Sequence, residues 1–392
     1  MKDTFRNMML NITRLTQSGK LREATAAIQR ALGGSPAMRD TPAGSAPAAP
    51  AESGGDVIDV EARVVDDERL DEMPGEADAF APEAPPRPAD APARQAVPGI
   101  GQFVAGSFGN AAGTRAYKLY VPSGEAAAPR PLVVMLHGCK QNPDDFAAGT
   151  RMNELAEAQG VVVLYPGQER NANQMGCWNW FRESDQRRDA GEPSIIAEMT
   201  RRIVDTHAID PQRVYVAGLS AGGAMAAVLA ATYPELYAAV GIHSGLPHAA
   251  ANSLPSALSA MRHGPAKRAN GTPVNGGPAV PTIVFHGDQD KTVHPCNGDE
   301  VIAQARWSSA AHADDGNGSG MTVERGEAGG GRAFTRTIHR DAEGRCDAEH
   351  WLVHGTAHAW SGGSSSGSYT DPLGPNASTE MLRFFLEHPK RG

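Results

Sequence analysis

The segment Val214-Tyr-Val-Ala-Gly-Leu-Ser-Ala-Gly-Gly223 decides the fold predicted for this chain. An apolar, β-branched run ends in Gly218-Leu-Ser-Ala-Gly222, and an alanine-rich segment, Ala224–Ala231, follows directly. This order predicts a buried strand, a sharp turn and a helix, with Ser220 at the turn. Glycine is needed on either side of the serine because strand and helix pass each other closely there. A Gly-x-Ser-x-Gly pattern also arises by chance, but its flanking strand and helix favour a nucleophilic serine.

The composition is that of a globular protein and argues against two functional classes. The chain has 392 residues, of which 40% are hydrophobic, so it is long enough for one large domain or two ordinary ones. No apolar run approaches the roughly 20 residues of a membrane-spanning helix. The formal net charge is −9, and no basic cluster resembles a nucleic-acid footprint. We therefore expect neither a transmembrane segment nor a nucleic-acid partner.

Residues 1–33 form a distinct basic segment. They carry six basic and two acidic side chains, and their apolar residues recur at helical spacing. The pattern predicts a basic amphipathic helical segment, either docked on its own domain or another copy, or binding a polymer or lipid surface. The first interpretation is favoured because the apolar stripe is thin. The segment lacks the continuous apolar core of a secretory signal, so a cytoplasmic location is the default expectation.

Residues 34–97 are predicted to form a linker. They are rich in proline and alanine and hold fourteen acidic residues against five arginines, a composition that cannot build a core. Within this range, apolar and polar residues alternate over Val57–Val65, which is compatible with a short strand or a docking peptide. A disordered linker is nevertheless favoured. The remaining residues, 98–392, are expected to form the catalytic domain.

Within 98–392, apolar strands alternate with helices. Strands are predicted at Arg115–Val121, Leu132–Leu136, Val161–Leu164, Val214–Ala217, Ala238–Ile242, Thr282–Phe285 and Trp351–Val353. Helices are predicted at Pro143–Ala158, from Pro193 onward, after Ser220 and at Thr379–Leu386. Residues 249–279 interrupt the pattern as a flap over the site or a long surface excursion. This alternation predicts an α/β-hydrolase fold, with a mostly parallel central sheet flanked by helices on both faces.

An acid and a histidine should follow the serine on loops after later strands. The strand Thr282–Phe285 runs into a loop that holds Asp288 and Asp290, and we assign the acid to Asp290. Asp288 is expected to shape the loop, as aspartates in turns commonly do. His358 follows the strand Trp351–Val353, where an imidazole could take the serine proton with one nitrogen and be oriented by the acid through the other.

The other histidines have supporting or structural interpretations. His354 lies at a strand end and is expected to be structural. His286 lies beside the acid loop and is expected to hydrogen-bond there, and His243 follows a strand near the active face. No pair of histidines has the spacing of a zinc site with a third ligand, so no metal or other cofactor is expected.

The developing oxyanion of acyl transfer requires two hydrogen-bond donors. The backbone N–H groups of Ala221, next to the serine, and of Cys139, after the strand Leu132–Leu136, are assigned to this role. Tryptophans at 178, 180 and 360 are candidates for an apolar wall around the substrate. Ordinary packing is the alternative, equally weighted for Trp180 and less favoured for Trp360, two residues from His358.

The four cysteines at 139, 177, 296 and 346 all fall on loops near the predicted active face. Cys139–Cys177 with Cys296–Cys346 best fits this arrangement, but it is one of three pairings and the sequence does not choose among them. Bridged cysteines would indicate a secreted or periplasmic location, in conflict with the default cytoplasmic expectation.

Together these motifs resemble the polyhydroxybutyrate depolymerase family of esterases, which includes feruloyl and acetylxylan esterases. The resemblance covers roughly residues 99–388 and rests on segments in the same order: 137–146, 177–181, 218–225, 286–298 and 358–363. It implies a triad of Ser220, Asp290 and His358, with Cys139 and Ala221 as oxyanion donors. It also implies esters of hydroxy acids or of decorated sugars as substrates. Extracellular depolymerases carry a signal and a substrate-binding module, neither of which is recognised here, so short or soluble esters are expected.

The leading functional hypothesis is a serine esterase that hydrolyses short hydroxyalkanoate esters, such as hydroxybutyrate oligomers, through an acyl-enzyme. Feruloyl or acetylxylan esterase activity on plant polysaccharide esters is an alternative with the same chemistry. A peptidase or acyltransferase would use the same three side chains. A non-catalytic protein tethered to granules or another surface through residues 1–33 is the last hypothesis, and an intact triad argues against it.

Overall fold

The computed structural model describes residues 101–266, 280–310 and 320–390, without the side chains of 307–310. These residues belong to one unit, Pro88–Gly392. The predicted helical segment 1–33 and the linker 34–97 lie outside the described residues, as does the part of the predicted flap from 267 to 279.

Six neighbouring strands form the parallel centre of the sheet. In spatial order they are β4 (Val162–Pro166), β3 (Arg130–Leu136), β5 (Ile209–Leu219), β6 (Ala239–His243), β7 (Thr282–Gly287) and β10 (Cys346–Val353). Each overlaps one of the apolar runs predicted as a strand. Because both faces are covered, these runs are continuously apolar, as expected for a parallel sheet. The predicted α/β-hydrolase fold class is therefore confirmed.

Antiparallel strands extend the sheet at both edges, giving ten strands within the described residues. On one side lie β1 (Gln102–Asn110) and β2 (Gly113–Val121), and on the other β9 (Ala333–Arg340) and β8 (Met321–Glu327). The prediction included β2 but omitted β1, β8 and β9. Exposed residues predominate in β1 and β8, and the half-buried β9 places polar residues between its apolar ones, so all three lack the apolar run by which the central strands are recognised. A further two-stranded pair, β11 (Trp360–Ser361) and β12 (Thr370–Asp371), follows the main sheet.

Helices cover both faces of the sheet. They are α1 (Pro143–Thr150), α2 (Met152–Gln159), α3 (Gly191–Thr206), α4 (Ala221–Thr232), α5 (Leu254–His263), α6 (Cys296–Ala310) and α7 (Ala377–Glu387). Alternate residues of β3 face opposite layers: Leu132, Val134 and Leu136 pack on the α3 and α4 side, whereas Val133 and Met135 pack on the α1, α2 and α7 side. None of the helices in the described ranges is long and apolar enough to cross a membrane.

Two helix predictions need correction. The helix predicted over Pro143–Ala158 is divided into α1 and α2 at Arg151, whose φ of 53° is left-handed and ends the first helix. The helix expected to open at Pro193 begins two residues earlier, at Gly191. Residues 249–279 were predicted to interrupt the alternation, but their described part contains α5, which begins in a capping box at Ser253.

Two buried histidines make the stability of this domain depend on pH. Burial lowers the pKa of His137 and of His350 from 6.5 to about 4. Between pH 6.5 and pH 4 the unfolded chain therefore takes up protons at these sites that the folded protein does not. The free energy of unfolding should decrease as the pH falls through this window and should not depend on these groups above it.

We predict that lowering the pH from 7.5 to 4.5 decreases the melting temperature of the His350→Gln variant by less than that of the wild type. The reason is that glutamine removes one group that is protonated only in the unfolded state. Thermal unfolding followed by circular dichroism across this pH range measures the difference. His263→Gln, at an exposed position on α5, serves as the control and should keep the wild-type pH slope. Equal slopes for all three proteins would contradict the prediction.

Candidate active site

Ser220 occupies the sharp turn between β5 and α4. Its φ of 58° and ψ of −119° lie outside the conformations that a serine ordinarily adopts. The turn is sterically possible because glycines lie two residues before and two residues after Ser220. A Cβ on Gly218 would lie 2.3 Å from the backbone carbonyl carbon of Gly222, and one on Gly222 would lie 2.1 Å from the carbonyl oxygen of Leu136. The turn therefore has the strained geometry that presents a nucleophile above a parallel sheet.

Asp290 and His358 contact each other through their side chains. The Nδ1 atom of His358 lies 2.7 Å from Oδ2 of Asp290, and the carboxylate is fully buried. Its other oxygen accepts hydrogen bonds from the backbone N–H groups of Thr292 and Val293, both at 2.9 Å. With Nδ1 donating to the carboxylate, a neutral His358 has an unprotonated Nε2 that is free to act as a base.

His286 also contacts the Asp290 carboxylate. Its Nε2 donates a 2.8 Å hydrogen bond to the carbonyl of Val293 and lies 3.5 Å from Oδ2 of Asp290. Burial alone would raise the pKa of Asp290, but its contacts with His286 and His358 outweigh this and hold the pKa far below its usual range. The Asp290 carboxylate is therefore ionised at neutral pH. The expectation that His286 hydrogen-bonds in the acid loop is confirmed.

His243 connects the serine turn to the histidine loop. Its carbonyl accepts the backbone N–H of Ser220 at 2.9 Å, and its ring Nε2 accepts the backbone N–H of Ser361 at 2.9 Å. The ring stacks against Trp360, with centroids 5.0 Å apart. Burial holds the pKa of His243 well below its usual range, so the ring is neutral and keeps the lone pair that this bond requires. The predicted place of His243 near the active face is confirmed.

A second aspartate–histidine pair lies beside the first. Oδ2 of Asp288 is 2.9 Å from Nδ1 of His354, and Oδ1 accepts the backbone N–H of Gly355 at 2.8 Å. Both side chains are partly exposed, and His354 also contacts Thr335 at 3.0 Å. Asp288 thus fastens the loop after β7 to the loop after β10. This agrees with the structural roles expected for Asp288 and His354.

The loop after β3 lies against the serine turn. A Cβ placed on Gly138 would be 3.5 Å from Cβ of Ser220, so the backbone of the next residue, Cys139, is close to the turn. Within the described residues, no group accepts a hydrogen bond from the backbone N–H of Cys139 or of Ala221. These two donors, which the sequence analysis assigned to the oxyanion, are therefore available to a ligand at the serine.

Two side chains hold this loop that sequence analysis did not single out for that role. Oε1 of Gln141 accepts the N–H of Gly138 at 2.9 Å. His137 Nδ1 donates to the Gly138 carbonyl at 2.8 Å, and its Nε2 accepts the N–H of Gln168 at 3.0 Å. Burial lowers the pKa of His137 to about 4, which keeps the ring neutral and both bonds intact. Only the position of these residues, directly after an apolar strand, could have pointed to them.

Cys139 and Cys177 form a disulfide that joins the loop after β3 to the Cys177–Phe181 segment. The first half of the favoured pairing is thus confirmed. The second half is wrong, because Cys296 and Cys346 are free thiols. Cys296 begins α6 and Cys346 begins β10, and burial raises the pKa of the Cys346 thiol to about 12, so it stays protonated.

The Cys177–Phe181 segment is also held by a buried glutamate. Glu192, on α3, accepts hydrogen bonds from the backbone and side-chain N–H groups of Asn179 at 2.7 and 2.6 Å. It also lies 3.2 Å from the Arg115 guanidinium. Burial raises the pKa of Glu192, and hydrogen bonds from Gln168 and Asn179 partly offset this rise. Sequence analysis missed Glu192 because a lone glutamate in a helix gives no sign that it is buried.

The three candidate tryptophans are largely enclosed by the protein. Trp178 and Trp360 are 0% and 1% exposed, and Trp180 is 6% exposed. The Trp360 indole N–H donates to Ser378 at 3.0 Å, and its ring packs edge-on against Phe146. Burial favours a packing role for Trp178. Burial and these contacts also favour a packing role for Trp360, for which packing was the less favoured expectation. A substrate wall at Trp180 stays a prediction.

Comparison with known proteins identifies the family of this chain. Residues 115–327 match the family described as esterase PHB depolymerase. The chain belongs to this family. Within the described residues, no group of three or more His, Cys, Asp and Glu side chains could hold a metal ion.

Several curated proteins are similar to this family member. Poly(3-hydroxyalkanoate) depolymerase C of Paucimonas lemoignei is 34% identical over 260 residues, which cover 64% of this chain and 60% of that protein. Poly(3-hydroxybutyrate) depolymerase of Ralstonia pickettii is 28% identical, covering 69% and 57%. Feruloyl esterase B of Neurospora crassa is 30% identical, covering 57% and 76%. The chain thus spans about 60% of the length of the two depolymerases.

A solved structure supports the fold of this esterase-family chain. The acetyl xylan esterase from Aspergillus awamori superposes with a TM-score of 0.52 and 20% identity, covering 70% of this chain and 94% of that one. At this identity the likeness concerns the fold alone.

We predict that Gly222→Ala destabilises the domain. The new methyl group would lie 2.1 Å from the Leu136 carbonyl oxygen, a backbone atom that cannot move without displacing β3. Forced overpacking of this kind costs about 1–3 kcal/mol or more, which denaturant unfolding would measure. Gly329→Ala is the matched control, because a Cβ there would meet nothing within 4 Å. Its effect should stay within about 0.5 kcal/mol, and equal losses in both variants would contradict the argument.

Proposed function

We propose that this chain is a serine esterase in which Ser220 is the nucleophile, His358 the general base and Asp290 its orienting acid. The observation that carries the proposal is the 2.7 Å contact between His358 and a fully buried Asp290, tied through His243 to a serine held at a φ of 58°. An ionised acid, a neutral base and a strained serine are the parts that acyl transfer requires.

The proposed reaction has two stages. Oγ of Ser220 attacks the ester carbonyl carbon while Nε2 of His358 takes the hydroxyl proton, and the backbone N–H groups of Cys139 and Ala221 bind the oxyanion. The intermediate then breaks its bond to the alcohol oxygen, which receives the proton from His358. In the second stage water replaces the serine hydroxyl, so that the acid is released and Ser220 regains its proton.

Esters of hydroxyalkanoic acids are the substrate class that we propose. Two depolymerases of such polymers are among the relatives, and one of them shares 34% identity with this chain. Feruloyl or acetylxylan esters are the second candidate, favoured by the similarity to feruloyl esterase B and to a probable acetylxylan esterase A of Aspergillus fumigatus, at 29% identity. A screen of hydroxybutyrate oligomers, feruloyl esters and acetylated xylan distinguishes the two by comparing kcat/KM.

The disulfide bears on where this function is exercised. The Cys139–Cys177 bond lies beside the proposed oxyanion donor, and disulfides persist in oxidising compartments. We therefore favour a secreted or periplasmic location over the cytoplasm. Residues 98–392 are proposed as the catalytic domain, since the described fold from Gln102 onward includes every proposed catalytic group.

The variant Ser220→Ala should lose hydrolysis of p-nitrophenyl butanoate by at least about a thousandfold, because the nucleophile is removed. It should also lose covalent labelling by a fluorophosphonate probe while keeping its melting temperature within a few degrees. Ser259→Ala, at an exposed serine of α5, is the control and should react normally. Undiminished hydrolysis by Ser220→Ala would end the esterase proposal.

The two aspartates of the loop after β7 provide a second test. Asp290→Asn should lower kcat by about ten-thousandfold, since an amide no longer selects the reactive tautomer of His358. Asp288→Asn loses only the contacts to His354 and Gly355 and should keep kcat within about threefold. Steady-state kinetics on one ester compares them, and similar losses in the two variants would refute the assignment of the acid.

A further inference from the structure

Tyr369 has an unusual backbone conformation. Its φ is 53°, in the left-handed region that bulky side chains rarely enter. Among the described residues with such a φ, Tyr369 is the one aromatic, and the others include Ser220 and Lys140 beside the proposed oxyanion donor. Strained residues of this kind persist where the surrounding structure over-determines them, and they concentrate at functional sites.

Hydrogen bonds fix Tyr369 between the two loops that build the site. On one side its carbonyl accepts the backbone N–H of Trp360 at 2.7 Å, two residues from His358. On the other side, Nε2 of Gln141 donates to the carbonyl of Ser368 at 3.0 Å. The same carboxamide accepts the N–H of Gly138 at 2.9 Å, so a single side-chain amide separates the Tyr369 peptide from the oxyanion loop.

The loop that carries Tyr369 is held closely against α1. Asp145 accepts the backbone N–H of Ser368 at 2.8 Å and its hydroxyl at 2.6 Å. A Cβ on Gly367 would lie 2.4 Å from the backbone nitrogen of Gly149, so the two backbones are in close contact. The position of Tyr369 is therefore set by its neighbours.

The phenol ring has no role in holding this loop. Tyr369 is 42% exposed, and within the described residues no side chain hydrogen-bonds to its hydroxyl or stacks on its ring. The buried Tyr165, by contrast, donates its hydroxyl to Asn153 at 2.8 Å. A left-handed backbone bonded to both site loops, carrying an aromatic ring with no hydrogen-bond or stacking partner among the described residues, indicates a role outside the fold.

We propose that Tyr369 is a specificity-determining residue whose ring contacts an apolar group of the ester substrate. This inference rests on the proposed esterase function. An exposed aromatic face beside the site stabilises long or bulky acyl or alcohol groups through burial of apolar surface. It contributes little to small groups such as acetyl, which do not reach it.

The test uses the full chain and the variants Tyr369→Gly and Tyr369→Phe. The kcat/KM is measured for p-nitrophenyl acetate, butanoate and octanoate, and for butanoate esters of methyl, butyl and phenylethyl alcohols. Glycine accepts the left-handed φ without strain, so Tyr369→Gly should keep or raise the melting temperature. In at least one series it should lose about tenfold or more in kcat/KM for the largest substrate relative to the smallest, whereas Tyr369→Phe should keep the wild-type ratio.

Arg151→Gly is the matched control, because Arg151 has the same φ of 53° and its guanidinium pairs with exposed Glu154. It should leave both ratios unchanged. Wild-type ratios in Tyr369→Gly, or an equal loss for all esters together with a lower melting temperature, would overturn the inference while the esterase function stands. If the wild type hydrolysed no ester, the proposed function would fail and this inference with it.

Discussion

The geometry of the site depends on one neutral imidazole. His243 accepts the N–H of Ser220 through its carbonyl and the N–H of Ser361 through its ring, so one residue at the end of β6 fixes both the serine turn and the loop that follows His358. A protonated ring would have no lone pair for the second bond. Complete burial prevents that protonation, and the packing of Phe285 and Trp360 on the ring maintains that burial. The apolar core therefore contributes to the site by keeping the His243 ring neutral.

The loop after β3, which holds a proposed oxyanion donor, is stabilised by different interactions. Its loop is held by the Gln141 carboxamide, by the neutral ring of His137 and by the disulfide to Cys177. On the far side of that disulfide, buried Glu192 fixes the partner segment through Asn179. Preorganised donors are effective because they need no rearrangement as charge develops. Gln141, His137 and Glu192 contribute to this preorganisation, since their hydrogen bonds offset the cost of removing these polar groups from water.

The sequence predicted the parts of this fold that are buried on both sides. The central strands are solid apolar runs, and the serine turn has glycines where a Cβ would strike backbone, so both are recognisable locally. The outer strands β1, β8 and β9 were missed because their exposed or half-buried residues include polar side chains that interrupt any apolar run. The Cys296–Cys346 pairing was wrong because Cys346 begins β10, at the end of the parallel strands opposite to the loop that leads from β7 to Cys296. Glu192 and Gln141 act through contacts distant in sequence, which no local pattern encodes.

The two aspartate–histidine pairs differ in the environment of their carboxylates. Asp288 with His354 and Asp290 with His358 have similar contacts, 2.9 and 2.7 Å, and similar spacing along the chain. Their surroundings differ: the first pair is partly exposed, whereas the Asp290 carboxylate is fully buried and receives two backbone N–H groups. In a medium of low polarisability a charge acts strongly on its partner, and in contact with water it is screened. In the proposed mechanism, the complete burial of the Asp290 carboxylate is therefore what lets it stabilise an imidazolium at His358.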